Sequence, residues 1–197
     1  MSAFEPAERL KAQFGDLVSA PAEFRGEFTV TLADAERIGD VCAYAKQSLG
    51  FDALIDISSV DNYGEDPRWT LVYELYGYSH RCRMRLKTDV SEEKSELPTV
   101  TTVWRTANWH EREIYDMMGI RFRGHPDLRR ILMWDGYPYF PLRKDFPLAG
   151  KKSDLPDVAF SKPAPLEGGP FVTVAGGKNT MVREPRVRVP DETNASE

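Results

Sequence analysis

Cysteine is nearly absent from this chain: 197 residues contain two, Cys42 and Cys82. No Cys-x-x-Cys pair occurs, so neither a zinc site nor an iron–sulfur cluster can be assembled from these cysteines. Both thiols are expected to be reduced and at least partly buried. Histidine is as scarce, at His80, His110 and His125, and no two stand four apart as the paired imidazoles of a helical zinc site do. Long hydrophobic runs are missing too. No stretch approaches the roughly 18 to 20 apolar residues of a membrane-spanning helix, and the opening residues MSAFEPAER lack the apolar core of a secretory signal. Membrane association is therefore expected to run through another protein. An excess of cations is missing as well: 26 Lys and Arg face 31 Asp and Glu, for a net charge of −5. That balance argues against a polyanion-binding protein.

What is present is an ordinary globular composition with changing periodicity. Residues 7–14 form a short amphipathic stretch. The run EFTVTL (27–32) alternates, with Phe28, Val30 and Leu32 on one side, and predicts a strand. Asp34 suits the N-cap of a helix carrying Ile38, Val41, Cys42, Ala45 and Leu49, and Gly50 is its natural stop. Strands are predicted at 54–60 (LIDISSV), 69–78 (WTLVYELYGY), 81–86 (RCRMRL) and 98–104 (PTVTTVW). Short connections favour antiparallel pairing, and strands segregated from helices argue for an α+β domain with an antiparallel or mixed sheet and packed helices. A further helix is bounded by Asn108, which with Glu111 makes a capping box, and by Gly119. Ile114, Met117 and Met118 share one of its faces, and Arg112 and Asp116, four apart on the other, can pair.

Composition shifts after Trp134. Nine of 14 prolines fall between 138 and 190, and Phe140, Phe146, Phe160 and Phe171 recur without any sustained hydrophobic period. Such a segment cannot build its own core, and proline biases it towards extended conformations. It could reach on the order of 150 Å over about fifty residues. The expected organisation is a helical segment at 1–26, an α+β domain at 27–134, and an extended proline-rich C-terminal arm at 135–197 that straps onto a partner.

The most specific stretch is WHEREIYDMMGI (109–120) followed by FRGHPDLRRIL (122–132). Glu111, Arg112, Glu113, Asp116, Met117, Met118, His125, Arg129, Ile131 and Leu132 occur at the spacings of a family signature: Glu-Arg-Glu, an acid with two apolar residues, then a histidine, a basic residue and an apolar pair. PLRKDFP (141–147), with Arg143, Lys144 and Asp145, is similar to that family's next segment. The chain thus resembles the 30 kDa subunit of respiratory complex I, known in bacteria as the C subunit.

The residues also have readings of their own. His110-Glu111 invites comparison with the zinc-peptidase pattern HExxH, but position 114 is isoleucine, so a metal reading fails. Glu111 and Glu113 project to different sides of a helix, which suits a cap and an ion pair better than an acid–base couple. Asp127, Arg129 and Arg130 combine a turn with cations that hold carboxylates bidentately, at a helix end or on a partner's acidic loop. A nucleic-acid surface using Arg121, Arg123, Arg129, Arg130, Arg143 and Lys144 is opposed by interleaved Asp127, Asp135 and Asp145. Trp134, Tyr137, Tyr139 and Phe140 form either a loop packed over the domain edge or a set of interface anchors. A stand-alone hydrolase would use Glu111, Glu113, Asp116 and His125.

The resemblance implies a non-catalytic subunit within NADH–quinone oxidoreductase, peripheral on the cytoplasmic face of the bacterial inner membrane. Its neighbours would be the hydrogenase-like quinone-site subunit (49 kDa type, the D subunit) and iron–sulfur subunits. FMN and the clusters would sit in those partners, which pass electrons from NADH to ubiquinone coupled to proton translocation. The equivalent subunit of a membrane-bound hydrogenase complex is the alternative.

Overall fold

Period-two alternation of apolar residues builds the main sheet. In the computed structural model, which describes residues 4–147, the strands are β1 (Ala22–Phe24), β2 (Glu27–Leu32), β3 (Ala53–Asp61), β4 (Trp69–Gly77) and β5 (Cys82–Val90). They lie in the order β1-β2-β5-β4-β3. β2 runs parallel to β5 and the other pairs are antiparallel, so the sheet is mixed. Ile57 lies opposite Tyr73, Tyr73 opposite Leu86, and Leu86 opposite Val30. All four are buried. The reverse face is polar: Arg85, paired in register with Glu74, donates to its carboxylate and to Glu27 at 3.1 Å.

The helices α1 (Phe4–Phe14), α2 (Ile38–Leu49) and α3 (Ala107–Met118) supply further core residues. α1 packs on α2, with Ala7 and Leu10 buried, and α3 packs against β3. Asp34 caps as expected, its carboxylate accepting from Glu36 N at 3.0 Å, although a 3-10 turn (Ala35–Arg37) precedes α2. Gly50 ends α2 in a left-handed conformation, φ 75°. Beside it, His80 joins the α2 end to the β4–β5 turn, with Nε2 3.0 Å from Leu49 O and Nδ1 2.6 Å from Cys82 Sγ.

The α+β class with a mixed sheet matches the expectation, but one strand does not. Residues 98–104 turn instead of extending. Only Glu96–Pro98 forms a short strand, β6, which pairs in parallel with β7 (Arg121–Arg123) as a separate two-stranded sheet. Val100 O accepts from both Val103 N and Trp104 N, and Val100 N is taken by Glu111. Those bonds remove the backbone groups a ladder would use, and they bury Val100 and Trp104.

By internal contacts the chain divides into units 1–151 and 152–197, and the second lies outside the described residues. Residues 135–147, which composition groups with the arm, fold back in turns closed by Tyr137 N on Trp134 O and Phe146 N on Arg143 O. The rest of the expected arm, with Phe160 and Phe171, lies outside the described residues.

Among the described residues, Tyr73 Oη is the buried side-chain polar atom without a hydrogen-bond partner. An unsatisfied buried hydroxyl costs stability, and its removal leaves no orphan. Tyr73→Phe is therefore expected to leave urea stability unchanged or raise it by about 1 kcal/mol. Leu71→Ala, in the same strand, should lower it by roughly 2–5 kcal/mol.

Candidate functional site

α3 begins where the turn at Val100–Trp104 delivers the chain already in helical conformation. The amides of Ala107, Asn108 and Trp109 donate to the carbonyls of Trp104, Arg105 and Thr106. The helix start needs no side-chain cap, and Thr106 provides none. This corrects the expected capping box: Asn108 sits inside the first turn, and Glu111 points into the core. Gly119 does terminate the helix, at φ 79°.

Glu111 is fully buried. Its Oε2 accepts from Thr99 Oγ1 at 2.5 Å and its Oε1 from Val100 N at 2.8 Å. Burial pushes its pKa up to about 7, against the opposing effect of those two bonds. His125 Nε2 lies 4.0 Å away, on a side chain equally sealed from solvent. The imidazole donates from Nε2 to Asn108 O at 3.2 Å, and its Nδ1 accepts from Asp127 N at 3.0 Å. Burial holds its pKa below the ordinary value, and Arg112 adds to the effect, which favours the neutral imidazole.

One turn further on, Asp116 organises the loop after β7. Its Oδ2 accepts from the amides of Ile131, Leu132 and Met133 at 3.0, 2.7 and 2.8 Å. Its Oδ1 takes Arg130 Nη1 at 2.5 Å. Burial would raise the carboxyl's pKa, but the amide bonds and the guanidinium outweigh it and hold it below the ordinary value. Arg130 also donates to Asp116 O and Tyr139 O. Arg112 does not pair with Asp116 as expected. It donates to Arg129 O at 3.2 Å and Arg130 O at 3.1 Å, because the loop carbonyls come within its reach. Glu113 is exposed and takes part in no ion pair among the described residues, against expectation.

A second cluster fastens residues 141–147. Arg68 clamps Asp61 bidentately at 2.8 and 3.0 Å, both side chains buried. It also reaches Glu92 at 2.5 Å and Asp145 at 3.0 Å. Lys144 contributes its backbone amide to Asp61 at 2.7 Å, while Arg143 donates to Met118 O at 2.6 Å and lies over the rings of Trp69 and Phe140. Sequence reasoning misses Arg68 and Asp61 because neither belongs to the signature. The β3–β4 turn between them is the available signal, since closing it brings the two together.

Most signature residues thus serve the domain's own interior. Trp134 and Tyr137 pack edge to face at 4.6 Å, and Arg130 lies over Tyr137 and Phe140, so this cluster covers the domain edge. The four residues of a hypothetical hydrolase do not converge in a cleft. The groove beside the α3 start is lined by Thr101, Thr102, Arg105, Asn108, Trp109, Gly124 and Pro126, which carry no acid. Among the described residues, no group of three or more His, Cys, Asp and Glu is placed to hold a metal ion. What faces outward is Trp109 (61% exposed), Leu132 (63% exposed), Glu113 and Arg129.

Residues 31–152 match the family model of the respiratory-chain NADH dehydrogenase, 30 Kd subunit. The C 2 subunit of NADH-quinone oxidoreductase from Rhizobium etli is 46% identical over 157 residues, covering 79% of this chain and 83% of that protein. The solved trypsin-resistant fragment (1-134) of Nqo5 is 36% identical with a TM-score of 0.55, covering 65% of this chain and 100% of the fragment. A chain of an archaeal membrane-bound sulfane sulfur reductase shares the fold at 23% identity and a TM-score of 0.65, over 73% of this chain and 85% of that one.

Arg130→Ala leaves the Asp116 carboxylate buried without its cation, so the isolated chain should lose about 3 kcal/mol in urea unfolding. Arg129→Ala, which removes only an exposed pair with Asp127, should cost under about 1 kcal/mol. The depressed pKa values of Asp61 and Asp116 set an acid limit. Their stabilisation is complete above the ordinary value of 3.8 and is lost as pH falls through the lower folded values. Unfolding followed from about pH 4 downward should show stability falling, less steeply in Asp116→Asn.

Proposed function

The chain belongs to the family of the 30 kDa subunit of respiratory-chain NADH dehydrogenase, and from that premise we propose that it is a cofactor-free structural subunit of an NADH–quinone oxidoreductase. In this reading it lies in the peripheral arm, on the cytoplasmic face of the membrane. It holds the hydrogenase-like quinone-site subunit and the neighbouring iron–sulfur subunits at separations where electrons pass from NADH, through FMN and clusters, to quinone. The chemistry belongs to those partners. This chain contributes position through a permanent interface. No helix among the described residues is long and apolar enough to cross a membrane, so membrane attachment would come through the complex.

One observation carries the reading. Arg112 and Asp116 of the signature brace α3 against the loop after β7, while Trp109 and Leu132 are left exposed on that braced framework. Large apolar side chains held rigidly at a surface are what a permanent interface requires, since little ordering remains for association to accomplish. Asp116, sealed by three backbone amides and a guanidinium and held as an anion, is by contrast unsuited to proton transfer to a substrate.

Tagged chain recovered from its host should bring down the quinone-site and iron–sulfur subunits, identified by mass spectrometry. Recovery with hydrogenase components instead would favour the membrane-bound hydrogenase alternative, and recovery alone would defeat the proposal. Trp109→Ser with Leu132→Asp should reduce intact complex on native gels several-fold, with the isolated chain's melting temperature unchanged within about 2 °C. Normal assembly in that variant would exclude this face as the docking surface.

A further inference from the structure

We propose that Glu111 is a buried proton-binding site connected to the surface by a relay of two hydroxyls, Thr99 and Thr101. The inference stands on hydrogen-bond geometry and is independent of the assembly role. Thr99 Oγ1 lies 2.5 Å from Glu111 Oε2 and 2.9 Å from Thr101 Oγ1. Thr101 N donates to the same Thr99 oxygen at 3.1 Å, which fixes the turn. Thr101 in turn lines the open groove beside Arg105, Asn108 and Trp109. A continuous chain of exchangeable protons therefore runs from a fully enclosed carboxyl to solvent.

The surroundings favour a neutral acid. No Lys or Arg side chain bonds to Glu111 among the described residues. Among the described residues, three titratable groups packed near it are all shifted towards their neutral forms. From β4 comes Tyr73, held un-ionised by burial, with its hydroxyl unpartnered. From α2 comes Cys42, whose thiol is pushed far up by burial first and by Glu111 second. From the loop after β7 comes His125, 4.0 Å away, whose pKa burial lowers. On α3 itself Arg112 is turned away, onto the carbonyls of Arg129 and Arg130. Among the described residues, two donors, Thr99 Oγ1 and Val100 N, hydrogen-bond to the carboxylate.

The proton balance closes through the rotors. With Glu111 protonated, Oε2–H donates to Thr99 Oγ1, Thr99 donates to Thr101, and Thr101 donates to water in the groove. On ionisation Glu111 gives its proton to Thr99, Thr99 passes its own to Thr101, and Thr101 releases one to water. Each hydroxyl keeps one proton, and the direction of the chain is reversed. The fold binds this proton more tightly than the unfolded chain does. The stabilisation it brings is complete below the ordinary value of 4.5 and is lost as pH rises through about 7.

Infrared titration of the full chain tests this. At about pH 5.5, where surface carboxyls are ionised, one protonated-acid C=O band is expected. It should titrate with a midpoint near 7 and be absent in Glu111→Gln, whose amide mimics the neutral acid. Thr99→Val, which removes a donor to the anion, should move the midpoint upward. It also keeps the test decisive if Glu111→Gln fails to fold. Thr101→Val should leave the midpoint in place but slow hydrogen–deuterium exchange at the carboxyl at least about tenfold. A missing band, a midpoint near 4.5, or a band that persists in Glu111→Gln overturns the site. Equal exchange rates in Thr101→Val overturn the relay.

Discussion

Asp116 is the residue on which the signature segment turns. Its carboxylate receives three consecutive backbone amides and one guanidinium from a loop about fifteen residues further along the chain. A loop rarely presents successive amides to one point, and when it does the concavity is an anion site. Here the anion is supplied from within, by a helix side chain. The consequence is mechanical: the loop's backbone can take only one path over α3. The Arg112 bonds to Arg129 O and Arg130 O fix the same loop through its carbonyls. Donors and acceptors of one short segment are therefore both satisfied by residues four apart on a single helix face.

The second cluster works by the same logic from the opposite direction. Asp61 and Arg68 flank the β3–β4 turn, and their bidentate pair leaves room for Lys144 N on one carboxylate oxygen. Asp145 then reaches Arg68, and Arg143 reaches the last turn of α3. A buried ion pair is weak ground for stability by itself, since desolvation consumes most of its attraction. Its value here is register. The chain after Phe140 meets the sheet and α3 at named atoms, so residues 141–147 have one place to lie.

How much of this is legible in the sequence depends on the range of each signal. Period-two runs such as 69–78 and the Asp34-to-Gly50 helix are legible because their determinants are local. The run 98–104 misleads because Val, Thr and Trp carry strand propensity, whereas the outcome is decided by Glu111, which takes the Val100 amide from another element. The partner of Arg112 escapes for a related reason. Helix spacing offers Asp116 four residues away, but both side chains find backbone groups of a distant loop. Sequence spacing reports who could meet on one helix. It is silent about carbonyls and amides brought in by the tertiary fold. The signature itself is legible as a pattern, yet its charges suggest a surface for a partner, and Asp116, Glu111 and His125 face inward.

That inversion bears on what such a signature encodes. Charged residues at fixed spacing suggest a contact surface, since charge is costly to bury. Glu111 and Asp116 are buried all the same, each answered by backbone donors, and the cost is offset by a single loop geometry. Residues that fix a backbone tolerate little substitution, because any replacement must meet the same amides. Exposed residues such as Trp109 and Leu132 are under no such internal constraint. The buried part of the pattern therefore describes the mould, and on the proposed docking role contact specificity would fall to the side chains the mould displays.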